Sequence, residues 1–296
     1  MKKRFFVLLI VTLFVFLMPM QVFAAKPAPV VKAVEYVGLG DSIAYGMSAT
    51  SPDLNYFSKY SAYLDAKTSS PYYSSNPSQP GLTCGELLDE LDGTAALTAA
   101  RTDLPGATVV TVCIGGNNLL GPLIDYVADL YGIPTNDPDF LQNLSAAINA
   151  DPDRLTNDLA WQIIWPFSEL RQDLQAGVNA FKADWPAIVP AVKTLSGMSP
   201  KVYVLTVYNP VYGNSTLRDF MDGYITQINT AIKNYASSQG YTVVDIYARF
   251  SSYTGTEPLV GFNLSSSPAT FDPHPTDAGH EVIYNALVAA SGRIKK

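Results

Sequence analysis

Histidine is scarce in this chain, and its scarcity limits the chemistry that the protein can perform. Only His274 and His280 are present among 296 residues, and both lie near the C-terminal end. Two histidines on one short segment are poor support for a zinc site, so we expect no metal and no cofactor. A serine nucleophile needs a histidine to remove its proton, and the choice here is confined to these two residues.

Basic residues are fewer than acidic residues in this chain. The chain has 19 lysines and arginines against 26 aspartates and glutamates, a formal net charge of −7. Residues 1–24 hold three basic residues and no acidic one, so the rest of the chain has a net charge of −10. Binding to nucleic acid depends on Lys and Arg contacts with phosphates. This balance argues against a nucleic-acid partner.

The N-terminal apolar run is shorter than a typical membrane-spanning helix. It covers residues 5–18, whereas a membrane-spanning helix requires ~20 apolar residues. Basic residues precede it at 2–4, and the small-residue pattern Val-Phe-Ala follows it at 22–24, which is typical of a secretory signal peptide. We predict cleavage after Ala24 and an extracellular protein without a stable membrane span. A retained anchor is the alternative.

Cysteine is limited to Cys84 and Cys113. An even pair of cysteines in an exported protein suggests a disulfide. Free cysteine is also often a core residue, so two separate buried thiols are the alternative. Composition leaves both possibilities open.

Four apolar, β-rich runs alternate with helical segments along the chain. They cover residues 33–39, 107–114, 201–208 and 241–246. Continuous apolar strands of this kind are typical of a parallel sheet covered by helices on both faces. We therefore predict one α/β domain over residues 25–296, built as a three-layer α/β/α sandwich, with the active site beyond the carboxyl ends of the strands.

Four short blocks along the chain are candidates for a functional site, and each is weak when taken alone. Gly-Asp-Ser at 40–42 can be a helix N-cap, and Gly-Gly-Asn-Asn at 115–118 can be a turn. Gly85 can be an ordinary loop or helix-start glycine. His274 can be a structural residue, although Pro275 after it favours a loop over a helix.

Taken together and in this order, the blocks resemble those of SGNH hydrolases in the GDSL lipase/esterase superfamily. The likeness spans most of the chain after residue 24. It implies a flavodoxin-like α/β/α fold with a central parallel sheet of about five strands. It also implies a serine ester hydrolase that works without a cofactor.

Carried over residue by residue, the resemblance makes Ser42 the nucleophile and His274 the general base. It implies an oxyanion hole formed by the backbone N–H groups of Ser42 and Gly85 and the side-chain amide of Asn117. Neutral, preorganised donors of this kind stabilise the negative charge of a tetrahedral intermediate. Glycine at position 85 would let the backbone N–H approach the substrate closely.

The acid that orients His274 is less well defined by the sequence. The family usually places it three residues before the histidine, whereas Asp272 lies two before. Asp272 is nevertheless our candidate. The rivals are Asp277, which suits the start of the last helix, and a backbone carbonyl. We expect His280 to be structural, inside a final helix predicted over residues 276–291.

Another departure is Asn118, where the family commonly has aspartate. It affects local structural bonds rather than the donor at Asn117. Cys84 precedes Gly85 directly, and Cys113 lies two residues before Gly115. If these loops converge, a bridge between the two cysteines would brace the oxyanion donors.

A helical insertion is predicted at about 119–198. Its longest apolar stripe indicates a helix packed on the sheet, with members Leu170, Leu174, Val178, Phe181, Trp185 and Ile188. The apolar residues of segment 163–167 suggest a lid or a wall of an acyl-binding site. The sequence does not say which.

The sequence therefore predicts a secreted serine esterase, monomeric, acting on a small-molecule, lipid or glycan ester. A lipase-like or general carboxylesterase comes first, and an O-acetylesterase of polysaccharide or peptidoglycan second. From a different class, the chain can be a cell-wall or glycan-binding module that has lost catalysis. Ser42, Gly85, Asn117 and His274, retained together, argue against that alternative.

Overall fold

The central sheet is parallel and has five strands in the order β2-β1-β3-β4-β5. A computed structural model describes residues 32–292 except 97, 138, 213 and 264–269, so the predicted signal peptide lies outside the described residues. The strands are β1 (Val34–Gly40), β2 (Tyr72–Ser75), β3 (Val109–Cys113), β4 (Lys201–Leu205) and β5 (Thr242–Val244). The predicted parallel sheet of about five strands is confirmed.

Helices cover both faces of this sheet. They are α1 (Ser42–Tyr45), α2 (Tyr56–Lys67), α3 (Cys84–Asp92), α4 (Ala99–Asp103), α5 (Asn117–Tyr131), α6 (Phe140–Ala150), α7 (Pro152–Ile164), α8 (Glu169–Ser196), α9 (Ser215–Gln239), α10 (Ile246–Ser251) and α11 (Asp277–Ser291). One apolar core lies under α3, α5, α8 and α9, and a separate one lies under α2, α10 and α11. The chain thus forms three layers, because successive strand residues point to opposite faces.

The stripe that predicted a long helix against the sheet is buried. All six of its members lie on one face of α8 and are fully buried in the protein core. The helix closes at Gly197, whose φ of +62° is favourable for glycine. From Ala33 onward the described chain forms one compact unit.

A small antiparallel ribbon lies outside the main sheet. It pairs β6 (Val260–Asn263) with β7 (Thr270–Pro275). His274, which the sequence places on a loop, lies in β7 one residue before the strand ends. Pro275 can end such a strand because an edge position does not need its missing N–H. Among the residues described, no helix is both long and apolar enough to cross a bilayer.

Candidate active site

Ser42 lies at the carboxyl end of β1, on the first turn of α1. Gly40 has a φ of +147°, and a Cβ there would lie 1.9 Å from the Cys113 carbonyl oxygen, so only glycine fits. The Asp41 carboxylate caps α1 by accepting a hydrogen bond from Ile43 N at 3.0 Å. Burial raises the pKa of Asp41 to about 7, against the lowering effect of this bond. Capping and nucleophile placement therefore occur together in this motif.

His274 and Asp272 form one hydrogen-bonded chain with Ser42. The Ser42 hydroxyl lies 2.9 Å from His274 Nε2, and His274 Nδ1 lies 2.5 Å from Asp272 Oδ1. Asp272 Oδ1 also accepts the His274 backbone N–H at 3.0 Å. With Nδ1–H donating to the carboxylate, Nε2 is free to accept the serine proton.

The spacing of Asp272 and His274 follows from the strand that carries them. In a β-strand, residues two apart point to the same face. Partial burial opposes ionisation of Asp272, but hydrogen bonds from His274 and Ser48 outweigh it and lower the pKa of Asp272 to about 2. The carboxylate is therefore charged throughout the neutral range.

Ser48 donates a hydrogen bond to the other oxygen of this carboxylate, and no pattern in the sequence predicted this contact. Its hydroxyl donates to Asp272 Oδ2 at 2.5 Å across a separation of 224 residues. Within the described part of the chain, Ser48 is the only non-glycine residue with a positive φ, +63°. An L-residue is strained in that region, so the geometry at this position has to be held by its surroundings.

Three further hydrogen bonds join the segment 47–50 to the start of α11. The Thr50 backbone N–H and hydroxyl donate to the two carboxylate oxygens of Asp277, at 2.8 and 2.6 Å. His280 Nε2 donates to the Met47 carbonyl at 3.0 Å, and burial lowers the pKa of His280. Asp277 therefore contacts Thr50 at the first turn of α11, and His280 is a buried residue of that helix.

The three donors expected of an oxyanion hole lie in the first turns of three helices: Ser42 in α1, Gly85 in α3 and Asn117 in α5. The Asn117 side-chain amide donates one hydrogen to the Leu82 carbonyl at 2.9 Å, which leaves its second hydrogen available. Ser42 and Gly85 lie in the first turns of α1 and α3, where backbone N–H groups lack intrahelical acceptors. Asn118 stands where the family commonly has aspartate. Its side-chain oxygen, Oδ1, accepts a hydrogen bond from Cys84 N at 3.0 Å, so asparagine also makes a local structural bond at this position.

Gly85 lies close to the neighbouring helix α8. A Cβ at this position would lie 2.9 Å from Asp184 Oδ2, on the neighbouring helix α8. The expected reason was close approach of the backbone to a substrate. This close contact lies between α3 and α8, which the sequence did not reveal, and the approach of the Gly85 N–H to a substrate stays a prediction.

Cys84 and Cys113 are free, buried thiols, which is the second of the two possibilities that the sequence left open. Cys84 lies in the core on the same face of the sheet as Val112, whereas Cys113 points to the opposite face with Val109. The sheet therefore separates the two side chains. Burial raises the pKa of both thiols.

Solved structures with the same fold include several ester hydrolases. The lipase Lip_vut3 from a goat rumen metagenome is 19% identical, with a TM-score of 0.59 over 88% of this chain and 100% of that one. Phospholipase A1 from Streptomyces albidoflavus is 17% identical, with a TM-score of 0.57 over 87% and 99%. A variant of Axe2, an acetyl-xylooligosaccharide esterase from Geobacillus Stearmophilus, is 16% identical, with a TM-score of 0.54 over 90% and 99%.

The family relationship rests on the sequence match rather than on these distant structures. No curated protein matches the chain. The model of the GDSL-like Lipase/Acylhydrolase family matches residues 39–282, which include Ser42, Asn117 and His274. The chain therefore belongs to the GDSL-like lipase/acylhydrolase family and is an ester hydrolase.

Proposed function

We propose that this protein is a secreted serine esterase, lipase-like or a general carboxylesterase, that hydrolyses carboxylic esters through an acyl-enzyme on Ser42. The observation that carries the proposal is the continuous hydrogen-bonded chain from Ser42 Oγ through His274 to Asp272. Each member has the neighbour that its role needs: an acceptor for the serine proton, and a carboxylate for the imidazole.

In the first half of the reaction, Ser42 Oγ attacks the ester carbonyl carbon and its proton passes to His274 Nε2. The imidazolium that forms is stabilised by the charged Asp272 carboxylate, which keeps its own charge. Collapse of the tetrahedral intermediate breaks the bond to the alcohol oxygen, and His274 returns the proton to that oxygen. The acyl group is then bound to Ser42.

In the second half, a water molecule takes the place of the alcohol. His274 Nε2 accepts a proton from the water, whose oxygen attacks the acyl carbon. The Ser42 oxygen leaves and recovers the proton, which releases the carboxylic acid. In both halves the N–H groups of Ser42 and Gly85 and the amide of Asn117 face the oxygen that becomes negative.

Export and assembly are part of the same proposal. Residues 1–24 have the basic, apolar and small-residue order of a signal peptide, and we infer cleavage after Ala24 and release of a monomer. Mass spectrometry of protein recovered from the culture medium of an expressing host tests this. A mass that begins at Ala25 is expected, and retention of full-length protein in the membrane contradicts it.

The enzymatic proposal is tested with p-nitrophenyl esters from acetate to palmitate, using residues 25–296. Ser42→Ala is expected to lower kcat by about 10⁴-fold or more. Ser237→Ala, at an exposed serine on α9, is the matched control and retains activity. A serine-directed phosphonate labels the wild type and the control but not Ser42→Ala.

The chain-length profile decides the substrate class. A preference for medium or long acyl chains supports the lipase-like assignment. Activity confined to acetate contradicts it and moves the assignment to an O-acetylesterase. Absence of both hydrolysis and labelling means a binding module, the outcome least compatible with an intact hydrogen-bonded chain.

A further inference from the structure

Four large apolar side chains at the end of α7 and in the turn after it face solvent together. Trp161, Ile164, Trp165 and Phe167 are 57%, 75%, 46% and 73% exposed, and we name them the aromatic patch. Trp161 and Trp165 stack at 5.5 Å with 6° between their planes, and Phe167 meets Trp165 edge-on at 6.2 Å. Contiguous exposed surface of this kind usually marks a binding surface.

The patch lies at the same end of the sheet as Ser42. Helix α8, which follows it, runs antiparallel to the strands: Ser196 at its end accepts a hydrogen bond from Gly106, just before β3. Nearer its start, the helix passes so close to Asn118 that a Cβ on Gly177 would lie 1.8 Å from the Asn118 carbonyl oxygen, beyond the carboxyl end of β3. The eight residues before Gly177 carry α8 about 12 Å further. The patch is therefore displayed beyond the edge that holds the candidate active site.

The area of the patch is too small for a stable contact with a second copy of the chain. At roughly 150–250 Å² for each large side chain, the exposed fractions amount to about 500 Å² of apolar surface. A standard interface buries about 800 Å² on each partner. A fluid surface, in contrast, needs no complementary shape and accepts a few protruding aromatic side chains.

The charges around the patch determine which kind of surface fits. Segment 152–171 holds three acidic residues and two arginines. Both arginines are engaged: Arg154 lies over the Tyr131 ring, and Arg171 donates to the Ile163 carbonyl and lies over the Phe220 ring. An acidic chain with no spare cation here gains nothing from an anionic membrane.

The ring geometry argues against a glycan. Carbohydrate rings stack on open aromatic faces and need polar groups for their hydroxyls. Here Trp161 and Trp165 use one face each on the other, and the adjoining exposed side chain, Ile164, is apolar. Tryptophan favours the boundary between acyl chains and headgroups.

We infer that the aromatic patch docks the enzyme on the surface of a zwitterionic lipid bilayer, so that esters in the bilayer reach the site at Ser42. This inference rests on the proposed function, because it names the physical form in which the apolar ester is presented. Docking itself does not need the nucleophile. Ser42→Ala is therefore expected to bind lipid as the wild type does.

Tryptophan fluorescence with phosphatidylcholine vesicles tests the inference, because the chain has three tryptophans and the third, Trp185, is fully buried. The emission of the wild type is expected to shift to the blue as vesicles are added, and the protein to sediment with them. For the double variant Trp165→Ser/Phe167→Ser, the fraction of protein that sediments with the vesicles is expected to be at least fivefold lower than for the wild type. Tyr73→Ser, at a comparably exposed aromatic residue on β2, is the matched control and binds normally.

Activity separates docking from chemistry. In the double variant, the rate on an ester embedded in the vesicles is expected to fall at least tenfold relative to the same variant's rate on soluble p-nitrophenyl acetate. Loss of soluble-ester activity in Ser42→Ala tests the proposed function separately from binding. Melting curves check that each variant is folded.

Several outcomes overturn the inference. They are an unchanged emission with phosphatidylcholine, equal sedimentation of the double variant, and binding to phosphatidylglycerol vesicles alone. Sedimentation equilibrium that shows a dimer lost in the double variant assigns the patch to a second copy. Quenching by xylo-oligosaccharides without any effect of vesicles assigns it to a glycan.

Discussion

Replacing Ser48 by glycine isolates a single hydrogen bond to the candidate acid. Ser48 has a φ of +63°, a conformation that glycine adopts without strain. Ser48→Gly therefore removes the hydroxyl that donates to Asp272 Oδ2 while the backbone keeps its course. Ser48→Ala removes the same hydroxyl but keeps a side chain in the strained region.

The size of the effect follows from the exposure of the pair. A hydrogen bond to a charged group contributes about 1.5–3 kcal/mol. The Asp272 side chain is 43% exposed, so water replaces much of what is lost, and about 1 kcal/mol remains. Since 1.36 kcal/mol changes a rate tenfold, kcat is expected to fall about fivefold, with KM unchanged. The loss appears in kcat because the carboxylate acts on His274 and not on the bound ester.

Low pH gives a second readout with a defined sign. Hydrogen bonds hold the pKa of Asp272 at about 2, below its ordinary value of 3.8. The stabilisation that this lowering provides is complete above about pH 4 and disappears as the pH falls toward 2. Without the Ser48 hydroxyl the pKa rises, so Ser48→Gly should melt below the wild type at pH 5 and nearly with it at pH 2.

Steady-state kinetics on a soluble ester and melting curves from pH 2 to 6 measure these effects. Thr50→Ala is the matched control, because it loosens the same segment at Asp277 without touching Asp272. The reasoning is refuted if Ser48→Gly keeps the wild-type kcat, or if Thr50→Ala lowers kcat as much. Ser48→Ala should match Ser48→Gly in kcat and melt at a lower temperature.

Three other variants or measurements test the rest of the site. Asn117→Ala is expected to lower kcat about 10²–10³-fold, the usual cost of an oxyanion donor, and Asn117→Gln to restore little of it in an ester assay. Gly85→Ala should change the free energy of unfolding by less than about 1 kcal/mol in denaturant melts, because the crowded atom ends a side chain that can turn away and alanine favours a helix. A thiol reagent should titrate neither Cys84 nor Cys113 in the native protein and both after denaturation, whereas a bridged pair would release none without a reductant.

The sheet and the stripe of α8 could be predicted because both depend on local periodicity. An apolar strand that is covered on both faces reads as a continuous run, and β1, β3 and β4 have this pattern. The stripe repeats at helical spacing over five turns, which a strand cannot satisfy. Such patterns record which face is buried, and they do not depend on which distant residue covers it.

The contacts that refine the site could not be predicted, because they join residues far apart in sequence. Ser48 and Asp272 are separated by 224 residues, and an exposed serine in a loop gives no sign of its partner. The same holds for Gly85 and Asp184. The choice between a disulfide and two free thiols stayed open for a related reason: it depends on which face of the sheet each side chain points to, and not on how near the two loops are in sequence order.

The unusual spacing of the acid has a structural reason that joins these observations. In β7 the side chains of Asp272 and His274 point the same way because they are two residues apart, so a strand replaces the wider spacing that the family commonly uses. One carboxylate oxygen then faces the imidazole, and the other is left toward the segment after α1. Ser48 donates to it there, and Thr50 and Met47 anchor that segment to α11. The segment that follows the nucleophile thus also holds the acid, so both ends of the hydrogen-bonded chain are set by one loop.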